Sequence, residues 1–109
     1  MSGTKHRRKG SRIELEIVHR HEAQGVHAEK VPLSEAVGGR FSCDVGIYLD
    51  GINEAPWCCE VKARANGEGF KTLENWLGES DALFLRRDRA GPLVLVPWSS
   101  WSRLIGSKL

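Results

Sequence analysis

Apolar residues fall at every second position in two stretches, Phe41, Cys43, Val45, Ile47 and Leu49, then Trp57, Cys59, Val61 and Ala63. A period of two predicts two β-strands whose intervening side chains point to the opposite face. Further upstream the spacing changes. Ile13, Ile17 and Val18 gather on one side of a helix predicted over 11–24, with Ser11 as N-cap, Glu14 three residues on as in a capping box, and Gly25 as the stop. Val26 to Val31 reads as a short strand ended by Pro32, and Leu33 to Arg40, with Gly38-Gly39, as a loop. After a Gly-rich connection, Phe70, Leu73, Trp76 and Leu77 predict a short helix stopping at Gly78. Asp81 to Arg86 and Pro92 to Pro97 read as strands around a polar turn, and Trp98, Trp101, Leu104 and Ile105 as a closing helix with its tryptophans on the core. The expected order is α-β-β-β-α-β-β-α, an α/β chain.

The polar positions between these apolar ones carry the candidate chemistry. Asp44 lies on the face of its strand away from Cys43 and Val45, while Glu60 and Lys62, two residues apart, share a side. A hairpin between the two strands would bring both carboxylates beside one ammonium group. Hard carboxylate oxygens suit Mg²⁺ or Mn²⁺, and such an ion can activate water and stabilise charge on a phosphate undergoing hydrolysis. A neighbouring lysine, protonated beside two acids, can orient the water or meet the phosphate charge.

The helix adds a third acid. With Ile13 at the origin, Glu14 falls at about 100°, inside the arc spanned by Ile17, Val18 and Leu15, whereas Glu16 at about 300° points away. A carboxylate on the core-facing side is costly unless paired, hydrogen-bonded or bound to metal. Two roles for Glu14 stand at this point, helix cap and site residue, and they are compatible.

The series Lys9-Gly10-Ser11-Arg12-Ile13-Glu14, then Asp44, then Glu60-Val61-Lys62, followed by a helix and two strands, resembles the PD-(D/E)XK nuclease superfamily. Within it the chain is similar to small Holliday-junction-resolving enzymes of archaeal and viral type, over nearly its whole length from Lys9 to Pro97. The resemblance implies a restriction-endonuclease-like mixed central sheet flanked by helices. It also implies acidic site residues Glu14, Asp44 and Glu60, a catalytic Lys62, and Mg²⁺ as cofactor, with Mn²⁺ able to substitute. On this basis the expected metal ligands are Asp44, Glu60, the Val61 carbonyl and Glu14. It suggests a homodimer, since a two-fold axis presents paired centres to a four-way junction. Two departures stand out: Cys43 occupies the place of the proline before the aspartate, and Ala63-Arg64 follow the lysine without a downstream glutamine.

Composition changes this picture in three respects. The chain of 109 residues, 40% of them hydrophobic, fits one domain with a modest core, expected over 11–109. Five of its 16 basic residues, Lys5, Arg7, Arg8, Lys9 and Arg12, fall in the first twelve positions, which hold no acid, so the remainder carries 11 against 14 acids. Residues 1–10 therefore read as a disordered basic arm, either a DNA-backbone contact or an ordinary solvated terminus. Finally, three cysteines are an odd number, and the adjacent Cys58 and Cys59 point to opposite faces and cannot pair with each other. They read as reduced packing residues rather than zinc ligands. His19, His21 and His27 read as surface residues, and the absence of a long apolar run or signal-peptide core predicts a cytoplasmic protein.

Overall fold

The computed structural model describes residues 2–32 and 43–106, with side chains in these spans from residue 11 onward. The expected loop over 33–40 lies outside the described residues. The element order is α1 (Ser2–Glu22), β1 (Ala28–Lys30), β2 (Val45–Ile47), β3 (Trp57–Cys59), α2 (Phe70–Leu77), β4 (Leu83–Leu85), β5 (Leu93–Leu95) and α3 (Trp98–Gly106). This is the order the periodicity predicts. Where one mixed sheet was expected, however, the described residues form two antiparallel sheets, β1-β2-β3 and β4-β5. The chain divides into two compact units, Met1–Ala63 and Arg64–Leu109, one sheet in each.

In the first unit, α1 starts at Ser2 rather than Ser11, so the backbone of the basic segment is helical and Ser11 is an interior residue, not an N-cap. Helix capping cannot then account for Glu14. The C-terminal stop falls where Gly25 predicts it. Gly25 takes φ 80, and the Gly25 N–H donates to the Glu22 carbonyl at 3.0 Å and the Val26 N–H to the His21 carbonyl at 3.1 Å. This paired 5→2 and 6→1 pattern needs a left-handed residue, which glycine adopts without a Cβ penalty. His21 is 2% exposed, and its Nδ1–H donates to the Ile17 carbonyl at 2.7 Å. It is a core residue closing the last turn, contrary to the surface expectation, because it lies four positions after Ile17 on the inward arc.

β1 and β2 pair with Ala28 opposite Ile47 and Lys30 opposite Val45; β2 and β3 pair with Val45 opposite Cys59 and Ile47 opposite Trp57. Val18, Val26, Ala28, Cys43, Val45 and Ile47 form the buried core between α1 and this sheet. Burying each valine or isoleucine side chain contributes about 1.5–3 kcal/mol.

One irregularity matters for function. The Asp44 N–H donates to the Cys59 carbonyl at 3.0 Å, one residue out of the ladder register that sets Val45 opposite Cys59. Two residues of one strand thus face one of the other, a bulge at Asp44 that shifts the side-chain alternation beyond it. Cys43, just before the bulge, and Cys58 form a disulfide with Cα atoms 5.5 Å apart. All three cysteines had been read as reduced, from their odd number and the opposed faces of Cys58 and Cys59, and the Cys43–Cys58 bond corrects that reading. Cys59 alone is free, half-buried, with its thiol pushed up by burial.

In the second unit, α2 stops at Gly78 and β4 pairs with β5, Phe84 opposite Val94. The Ser100 hydroxyl donates to the Asp81 carbonyl at 2.7 Å, and Arg103 donates to the Asp81 carboxylate at 3.1 Å, fastening α3 to the start of β4. Ile105 is buried, and Trp98 and Trp101 are half-buried.

Candidate functional site

Three chain segments bring the expected side chains to one end of the first sheet. Asp44 stands at the bulge immediately before β2, half-buried. Its Oδ2 accepts the Val61 N–H at 2.8 Å, which ties the entry of β2 to the chain leaving β3. Glu60, Val61 and Lys62 lie just past β3 rather than within it. The Lys62 Nζ nonetheless lies 3.9 Å from Glu60 Oε2, so the two share a side as their spacing requires. Lys62 is 70% exposed, leaving its ammonium open to a ligand.

Glu14 approaches from α1. Its side chain is 18% exposed, against 51% for Glu16, which turns to solvent and pairs with Arg20 at 3.2 Å. The helical wheel thus separates two neighbouring acids correctly. Burial raises the Glu14 carboxyl above its usual range; the Asp44 charge raises it further, Lys30 pulls it down, and Glu60 adds a smaller upward push. Helix acid, bulge aspartate and post-strand glutamate therefore share one electrostatic neighbourhood, although 30 and 16 residues separate them in turn.

Each carboxylate is held by its own internal partner: Asp44 by the Val61 amide, Glu60 by Lys62, and Glu14 by Lys30, whose Nζ is 3.8 Å from Glu14 Oε1. Among the described residues, no three His, Cys, Asp or Glu side chains are gathered in a group that could hold a metal ion. Carboxylate oxygens are the donor type that hard divalent cations take, and the Glu14 carboxyl is held partly toward its neutral form by burial first and then by the Asp44 and Glu60 charges. Val61 enters the site through its N–H.

Of the basic segment, Arg12 is exposed on α1, while the side chains of Lys5, Arg7, Arg8 and Lys9 lie outside the described residues. A cluster on the other face of the sheet takes no part: the Tyr48 hydroxyl donates to Glu29 at 2.8 Å, and His27 lies 3.8 Å from the same carboxylate. Glu29 thus lies on the opposite side of β1 from its neighbour Lys30.

Two contributors escaped the sequence reading. Lys30 donates to the Ser11 hydroxyl at 2.7 Å and pairs with Glu14, a residue on the same helix face three positions later. The signal was present: Lys30 has the parity of Ala28 and so sits on the core-facing side of β1. The disulfide is the second, its half-cystines flanking Asp44 on one side and preceding Glu60 by two residues on the other.

No protein-family model, curated protein or solved structure matches this chain.

Proposed function

We propose that the chain is a Mg²⁺-dependent, structure-selective endonuclease that hydrolyses phosphodiesters in branched DNA, on a scaffold of the PD-(D/E)XK type. The observation that carries the reading is the shared field of Glu14, Asp44 and Glu60, with the Lys62 ammonium against Glu60. Acids from three segments interact electrostatically at Glu14, and Lys62 lies against one of them. That is more than solvated strand faces would require.

In this proposal Asp44 and Glu60 hold the ion, Glu14 supports the ion or its water, and the Val61 carbonyl adds a ligand. A bound Mg²⁺ supplies Lewis-acid polarisation of the phosphate and a more acidic water. Lys62, exposed and reaching past Glu60, positions the attacking water and meets charge developing on the phosphate. The Asp44–Val61 hydrogen bond fixes the distance between the segments before and after the hairpin, so that Asp44 and Glu60 are presented together. Lys5, Arg7, Arg8, Lys9 and Arg12, carried along the first turns of α1, contact backbone phosphates without reading bases. A homodimer pairs two such centres across the arms of a junction.

The separate engagement of each acid favours a second reading, a DNA-binding module on the same scaffold that does not cut. The test is incubation of the purified protein with labelled four-way junctions, flaps and linear duplex of common sequence, in Mg²⁺ or EDTA. Mg²⁺-dependent cutting of the junction above the other shapes is the expected result. Preferred cutting of flaps, or equal cutting of all three, replaces the junction by a flap or duplex substrate; binding without cutting favours the non-catalytic module. Among the described residues no helix is long and apolar enough to cross a membrane.

A further inference from the structure

Lys30 is the one cation that enters the acidic neighbourhood from β1, and it is not among the residues the proposed mechanism uses. Its Nζ rests on the Ser11 hydroxyl at 2.7 Å and lies 3.8 Å from Glu14 Oε1. Ser11 and Glu14 occupy one face of α1, so the helix offers the ammonium a hydroxyl and a carboxylate together. Lys30 also sits opposite Val45 in the β1–β2 ladder, one residue from Asp44, whose carbonyl accepts the Val31 N–H at 3.0 Å. The side chain is 37% exposed, sufficiently covered to be held and sufficiently open to leave.

We propose that Lys30 is an internal counter-cation of the acidic site, occupying the charge position a divalent ion takes and yielding it when that ion binds. The inference rests on the nuclease reading above and names a regulation of that same site. Two positive charges competing for Glu14 oppose each other by Coulomb repulsion, and the hydroxyl anchor makes the ammonium the resident in the absence of the ion. Once displaced, the four-carbon stem lets the ammonium turn outward, where a phosphate is its natural partner. Lys30 is thus a positioning residue with opposite effects on two steps: it weakens ion binding and aids engagement of DNA. A purely structural pair would weaken both when removed.

The test measures Mn²⁺ binding alone by electron paramagnetic resonance, for the wild type and for Lys30→Met, Lys30→Gln, Lys30→Arg and Asp44→Asn. Lys30→Met and Lys30→Gln should bind Mn²⁺ roughly fivefold more tightly, because the ion no longer displaces an ammonium attracted to the single Glu14 charge at about 4 Å under water-like screening. Lys30→Arg, which keeps the charge, should stay near the wild type. Affinity for a four-way junction should fall in Lys30→Met and Lys30→Gln at saturating divalent ion, and should change little in EDTA, where the ammonium stays on Ser11 and Glu14. Circular-dichroism melting confirms that each variant is folded, and the two neutral variants guard against misfolding of either. Unchanged or weaker Mn²⁺ binding in both folded neutral variants overturns the counter-cation role while leaving the site intact. Absence of wild-type Mn²⁺ binding, or binding untouched by Asp44→Asn, overturns the site reading and this inference with it.

Discussion

Breaking the Cys43–Cys58 bond is the perturbation whose size follows most directly from the structure. The bridge joins residues 15 apart in sequence and closes the β2–β3 hairpin. Restricting a loop of this length in the unfolded chain stabilises the folded state by about 3 kcal/mol. The closed loop contains Asp44 and ends two residues before Glu60, so the same bond also limits how far the bulge can move from the segment after β3. The experiment compares urea unfolding, followed by circular dichroism, of the oxidised protein, the dithiothreitol-reduced protein and the Cys43→Ser, Cys58→Ser double variant. With a urea dependence of about 1.5 kcal/mol/M for a small protein, the unfolding midpoint should fall by roughly 2 M in the latter two. Thiol titration of the unfolded, unreduced chain should return one cysteine of the three, Cys59. Three titratable thiols, or coincident midpoints for oxidised and reduced protein, would refute the pairing.

Two further outcomes follow from the site. Because burial, Asp44 and Glu60 raise the Glu14 carboxyl, the folded chain holds that proton to higher pH than the unfolded chain does, so stability declines as pH rises through and above 4.5 and the deficit persists at neutral pH. Glu14→Gln should remove this decline, gaining roughly 0.5 kcal/mol at pH 7 and little below pH 4, on the scale of part-exposed charge pairs; a pH-independent difference between the two unfolding curves would contradict it. Lys62→Ala should lower junction cleavage by at least about 100-fold while largely sparing DNA affinity, the range for loss of a group that acts in proton transfer or charge stabilisation. Glu16→Ala, which disturbs only the solvent-facing pair with Arg20, should change the cleavage rate little, and equal damage from both would break the distinction between the two faces of α1.

What could be read from the residues, and what could not, divides along physical lines. The eight elements and their order were legible because apolar spacing marks them and glycine or proline punctuates them: Gly25 and Gly78 end their helices, and Pro32 closes the β1 region. The contrast between Glu14 and Glu16 was legible because helix geometry alone decides it. The start of α1 was not, since Ser11 and Gly10 imitate a boundary that the helix runs through, and Ser11 spends its hydroxyl on Lys30 instead. The disulfide was hidden because the opposed faces of Cys58 and Cys59 rule out only their mutual bond, and which cysteine approaches Cys58 depends on long-range pairing that local pattern does not specify. His21 misled through its polarity: the ring is buried because its Nδ1–H finds the Ile17 carbonyl within its own helix. How the strands distribute between two sheets depends on pairing partners distant in sequence, which local patterns do not specify.

The central claim is that Glu14, Asp44, Glu60 and Lys62 act as one hydrolytic centre, and Asp44 is its pivot because its carboxylate joins the two strand ends. The most direct measurement is the single-turnover rate of four-way-junction cleavage against Mg²⁺ concentration, for the wild type and a folded Asp44→Asn variant. The account predicts cutting by the wild type that rises with Mg²⁺ and stops with EDTA, and a variant slower by at least about 100-fold. Cleavage indifferent to Mg²⁺ or to Asp44→Asn, or no cleavage by the wild type, would contradict it.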